Sequence, residues 1–168
     1  MNKKVAIIMG SDSDFDIVKG ALEELDKFEI GYEVRVCSAH RTPYQASEYA
    51  RTAEDRGIGV IIAAAGKAAH LPGVIAAYTT LPVIGLPIKS SFMDGLDSLL
   101  SIAQMPDGVP VATVAVNGSR NAAILAAQIL AVGNRELSGR LKDHKKEMEE
   151  KVVKKDRALA EKLSRESQ

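Results

Sequence analysis

Apolar runs and amphipathic stretches alternate along this chain. KVAIIMG, from Lys4 to Gly10, is almost wholly apolar up to its glycine, the pattern of a strand covered on both faces. SDSDFDIVKGALEELDKF follows, with Phe15, Val18, Leu22, Leu25 and Phe28 at helical spacing and Ser11 to Asp14 available as caps. YEVRVCS alternates as a strand does. TPYQASEYARTAEDRG places Pro43 in a first turn and Gly57 beyond a last one, which marks a helix at both edges. GVIIAAAG is another buried run, LPGVIAAYT a short helix, and LPVIGLPI a strand limited by Pro87. GLDSLLSIAQM reads as a helix, VPVATVAV as a fifth strand, and SRNAAILAAQILAVG as a helix capped by Ser119 and Gly133. Buried strands that alternate with helices predict an α/β fold with a five-stranded parallel sheet covered on both faces. Such sheets bind ligands at the carboxyl ends of their strands. Three polar clusters fall there: Ser11 to Asp14, Ser38 to Arg41, and Gly66 to Leu71.

Two segments bear on assembly. NAAILAAQILAV is apolar nearly all round and rich in alanine, so it calls for burial on every side, part of it from a second subunit. The charged tail carries Leu137, Leu141, His144, Met148, Val152, Leu159 and Leu163 as one stripe, suited to packing on another subunit or on its own domain. The expected organisation is an α/β domain over 1–133 and a C-terminal helical extension over 134–168 that belongs to the same domain.

Composition narrows the partners. Lys plus Arg equals Asp plus Glu at 22 each, so bulk charge draws the chain neither to nucleic acid nor to an acidic membrane. There is no tryptophan on which single-stranded bases would stack. The single Cys37 excludes an internal disulfide and a cysteine-built metal site, and its place in a strand makes it a small core residue. The apolar run near the start is too short for a signal sequence, and none spans a bilayer; the expected location is the cytoplasm.

Any anion site must therefore be built from a few placed residues. Ser11, Ser13 and Asp14 stand where a strand turns into a helix, whose free N–H groups and partial positive charge can hold a phosphate. Asp14 would repel an anion and suits a sugar hydroxyl; plain helix capping is the competing reading. The turn is neither a Walker loop nor a dinucleotide fingerprint. Arg41 presents a planar fork suited to phosphate, with Ser38 beside it; a surface ion pair with Glu48 or Asp55 is the alternative. His40 is the member of this cluster that exchanges a proton near neutral pH, unless it is only a hydrogen-bonded structural histidine. In AAAGKAAHLPG, Gly66, Ala68 and Ala69 leave main-chain N–H groups open to a ligand, or simply allow tight strand–helix packing. Lys67 can meet a carboxylate. His70 either contacts substrate or anchors the loop, and His144 on the tail stripe reads as structural.

Taken together, MGSDSD, SAHRTP, AAHLPG, GLDSLLSIAQMP and GVPVATVAV resemble the bacterial N5-carboxyaminoimidazole ribonucleotide mutase family of purine biosynthesis, in order over residues 4 to 133. The resemblance implies a flavodoxin-like three-layer α/β/α sandwich, a homo-octamer, and movement of a carboxylate from the exocyclic nitrogen to ring carbon four. It implies a small-molecule nucleotide substrate and no ATP, metal or organic cofactor. Ser11, Asp14 and Arg41 match nucleotide-binding positions and His40 the general acid/base. The GKAAHL loop, with Gly66, Lys67, Ala68, His70 and Leu71, matches the segment that holds the carboxylate and closes the pocket. The family usually reads AGAGGAAHLPG there; Ala64 and Lys67 replace two glycines, and either a positive φ at the second strains the lysine or Lys67 reaches the migrating carboxylate or a neighbouring subunit. The related branch that uses CO2 directly usually shows SAHKT and AGRSN, and neither occurs here. A direct CO2-dependent carboxylase is the alternative enzyme, and a non-catalytic flavodoxin-like binding module the alternative of another class.

Overall fold

Residues 3–166 are described by the computed structural model. β1 (Lys4–Met9), β2 (Tyr32–Val36), β3 (Ile58–Gly66), β4 (Val83–Ile88) and β5 (Ala112–Thr113) form one sheet in the order β2-β1-β3-β4-β5. Every neighbouring pair is parallel. The helices are α1 (Phe15–Lys27), α2 (Pro43–Arg51), α3 (Leu71–Ala77), α4 (Leu96–Ala103), α5 (Ser119–Ala131) and α6 (Arg135–Glu166). The order is that of flavodoxin-like sheets, with the direction of winding reversing between β1 and β3.

Side-chain alternation divides the core into two layers. Ala6, Ile8, Ile61, Ala63 and Ala65 cluster with Ala46 and Ala50 of α2, Leu71 and Ile75 of α3, and Ile102 of α4. Val5, Ile7 and Met9 point to the opposite face. There α1 and α5 lie side by side: Glu23 and Arg120 form an ion pair at 3.1 Å, and a Cβ on Gly20 would stand 2.7 Å from Ser119 Oγ. β3 and β4 are buried along nearly their whole length, which is why they read as unbroken apolar runs.

Three elements differ from the sequence expectation. Pro87 does not limit β4; it lies inside the strand, paired in register with Ala65, while its carbonyl accepts from Asn117 N at 2.8 Å. β5 comprises two residues, Ala112 and Thr113, paired with Ile84 and Gly85; beyond them VPVATVAV stays beside β4 through separate hydrogen bonds from Val114 N to Gly85 O at 3.1 Å and from Asn117 N to Pro87 O, without continuing the regular ladder. The first helix begins with a separate 3-10 turn over Asp12–Asp14.

The chain divides into two compact units, Met1–Leu130 and Ala131–Gln168. The second is dominated by α6, 32 residues long, with Leu137 buried and Met148, Val152, Val153, Leu159 and Leu163 exposed. Among the described residues no helix is long and apolar enough to cross a membrane.

Candidate active site

Gly10 follows β1, and Ser11 caps the turn that comes next: its Oγ accepts from Ser13 N at 3.3 Å and from Ser13 Oγ at 2.9 Å. Asp14 is half-buried here. Burial pushes its carboxyl above the ordinary carboxylate range, against the opposing pull of hydrogen bonds from Ser13 and Ser11.

The turn after β2 is held by Thr42. Its hydroxyl donates to Ser38 O and accepts from Ser38 N, both at 2.9 Å, and its own N–H donates to Ser38 O at 2.9 Å. This clip fixes the short loop before Pro43 opens α2, so His40 and Arg41 cannot swing independently. They diverge from it. Arg41 turns back to the β1 end, donating to Gly10 O at 3.2 Å and to Ser38 Oγ at 3.5 Å. His40 crosses to the β3 loop, where its Nε2 lies 2.8 Å from His70 Nδ1, the two rings edge-on with centroids 4.9 Å apart. A contact that short between two ring nitrogens needs one donor and one acceptor, so a proton sits between the imidazoles. His70 is fixed in turn by its backbone, donating to Ala68 O at 2.8 Å and accepting from Val74 N at 3.0 Å.

These loops enclose a cleft of about 510 Å3, a size usual for small-molecule sites. Ser11, Ser13, Asp14, Ser38, His40, Arg41, Gly66, Lys67, Ala68, His70 and Leu71 all line it. Lys67 has φ +57, in the left-handed region. His144 and Cys37 lie elsewhere; Cys37 is buried, its Sγ 3.4 Å from Thr42 Oγ1. The sequence reading missed a fourth wall, formed by Ile88, Lys89, Ser90 and Ser91 after β4. Lys89 N donates to Asn117 Oδ1 at 2.9 Å, its ammonium pairs with Asp94 at 3.0 Å, and Ser90 Oγ donates to Asp97 at 3.1 Å. The signal was available: IKSS is a polar break at the end of a buried strand, like the other three. Thr42 was also missed, because its contribution is a hydrogen-bond clip that no spacing reveals.

Fold and cleft together define an α/β protein with a small-molecule site at the switch point of a flavodoxin-like sheet. Residues 4–151 match the AIR carboxylase family, and the chain belongs to it. It is 60% identical over 145 residues to the N5-carboxyaminoimidazole ribonucleotide mutase of Pyrococcus abyssi, covering 86% of this chain and 83% of that one. It is 56% identical over 156 residues to the mutase of Thermotoga maritima, covering 93% and 91%. A crystal structure of Treponema denticola PurE superposes with a TM-score of 0.84 at 28% identity, covering 94% of this chain and 98% of that one.

Proposed function

We propose that this protein is a mutase that converts N5-carboxyaminoimidazole ribonucleotide to 4-carboxy-5-aminoimidazole ribonucleotide in purine biosynthesis. The observation that carries the reading is the divergence of His40 and Arg41 from one clipped turn, joined to high identity with mutases over nearly whole chains. It gives the cleft two ends. At one, Arg41, Ser38 and the Ser11–Ser13 turn present a fixed fork, hydroxyls and helix N–H groups to the phosphate, and Asp14 faces the ribose hydroxyls. At the other, the His40–His70 pair handles the proton.

Substrate and product share the ribose phosphate, so the anchoring end binds both alike and positions the ring without itself lowering the barrier. His40 gives a proton to the exocyclic nitrogen. The bond from nitrogen to the carboxyl carbon breaks, its electron pair stays on nitrogen, and CO2 is released into the cleft. Ring carbon four, made nucleophilic by the amine, then attacks CO2 and becomes tetrahedral. His40 removes the proton from that carbon, which restores the aromatic ring and returns the proton spent at the start. His70 holds His40 through the shared hydrogen bond while the charge on the ring changes. The Gly66–Leu71 loop, small apart from Lys67 and His70, brings main chain close to the carboxylate and keeps water from it. We further propose that the protein works as a homo-octamer in the cytoplasm.

The direct test is to give the purified protein the carbamate nucleotide without ATP or bicarbonate and to follow the carbon-carboxylated product. Conversion at a rate independent of added bicarbonate is expected. Product formed only from aminoimidazole ribonucleotide and bicarbonate would instead establish the direct carboxylase that the family's name describes.

A further inference from the structure

We propose that Lys67 is the carboxylate-binding residue of this cleft and a determinant of its preference for carboxylated over carboxylate-free nucleotide. The inference rests on the reading above and adds the group that holds the carboxylate.

Five described non-glycine residues have positive φ: Glu29, Lys67, Met93, Asp94 and Asn117. Only Lys67 lines the cleft. A lysine in the left-handed region is held at a conformational cost that glycine would not incur. Lys67 is exposed and forms no ion pair or side-chain hydrogen bond with any other described residue. Its ammonium therefore meets a ligand without first breaking a contact. The other cations of the cleft are committed: Lys89 to Asp94, Arg41 to Gly10 O and the anchoring end. Asp14 is the one carboxylate among the described lining residues.

Location decides which anion Lys67 meets. Arg41 and the Ser11–Ser13 turn mark the phosphate end, on the β1 side. Lys67 is on the β3 loop, three residues before His70, whose ring touches the proton-carrying His40. A cation on that side faces the end of the ligand where the carboxylate leaves nitrogen and arrives on carbon. Substrate and product both carry the carboxylate, whereas the decarboxylated nucleotide does not. Lys67 thus favours the two carboxylated species over the decarboxylated nucleotide by binding them more tightly.

The experiment measures, by titration calorimetry, dissociation constants for the stable carbon-carboxylated product and for aminoimidazole ribonucleotide, which lacks the carboxylate. Wild type, Lys67→Met and Lys67→Gly are compared. Both variants should bind the product about tenfold more weakly, the worth of one charge-assisted hydrogen bond. Both should bind the carboxylate-free nucleotide as wild type does, and Lys67→Arg should restore product affinity. Lys67→Gly should also raise Tm, since glycine relieves the backbone; Lys67→Met should not. Unchanged product affinity in both variants, or a lower Tm in Lys67→Gly, overturns the inference. Equal loss for both nucleotides places Lys67 on the phosphate and overturns it too. Failure of the wild type to bind either nucleotide is a different result: it removes the mutase reading itself.

Discussion

At the scale of the residue, side chains of the cleft are held against their own preference. Asp14 is an example. Half-buried at the turn after β1, it ionises less readily than a free aspartate because burial outweighs its hydrogen bonds. A carboxyl whose pKa is raised on folding costs stability once it ionises, and that cost disappears as pH falls through the folded pKa. Asp14→Asn should therefore be more thermostable than wild type at pH 7. The gap should narrow with acidification and close below the 3.8 of an unperturbed aspartate. The same variant should bind nucleotide more weakly. Thermal melts across pH with a parallel binding series check both, and a gap that widens in acid would refute the assignment. Ser11 and Ser13 show how two readings of one motif can both hold. They cap the turn with each other's hydroxyls, and they line the cleft.

At the scale of the element, the fold depends on close approach. Gly85 lies in β4 under α4: a Cβ there would stand 2.2 Å from Ile102 Cγ2 and 2.9 Å from Val111 Cγ1. Gly85→Ala should destabilise the protein by about 1–3 kcal/mol through overpacking, read as a lower denaturant midpoint. Because β4 leads directly into the Lys89–Ser91 wall, the variant should also weaken nucleotide binding. The order of strands and helices was legible in the sequence since β1, β3 and β4 are buried on both faces and leave continuous apolar runs. Edges were not. Two residues of β5 make ladder pairs, and nothing in VPVATVAV marks where pairing stops. Pro87 misleads in the opposite sense: a strand next to a short edge partner tolerates a missing N–H, and the backbone passes through it. Of the cleft, the three polar clusters were readable as breaks at strand ends. The fourth was overlooked. The Thr42 clip and the His40–His70 contact join residues whose proximity is created only by the folded loops.

At the scale of the whole molecule, single-chain burial is incomplete in ways that match the proposed assembly. Phe92, Met93, Leu96 and Leu100 are exposed around the start of α4, and α6 shows solvent an apolar stripe from Met148 to Leu163. Native mass spectrometry should find a species of eight times the 18.0 kDa chain mass, and a monomer would contradict the proposal. The central claim, however, is local: one clipped turn sends a guanidinium to a phosphate and an imidazole to a proton. Steady-state kinetics of His40→Asn tests it most directly. kcat should fall by at least ~100-fold with nucleotide still bound, the scale of lost acid–base catalysis. Turnover near the wild-type rate in that variant would contradict it.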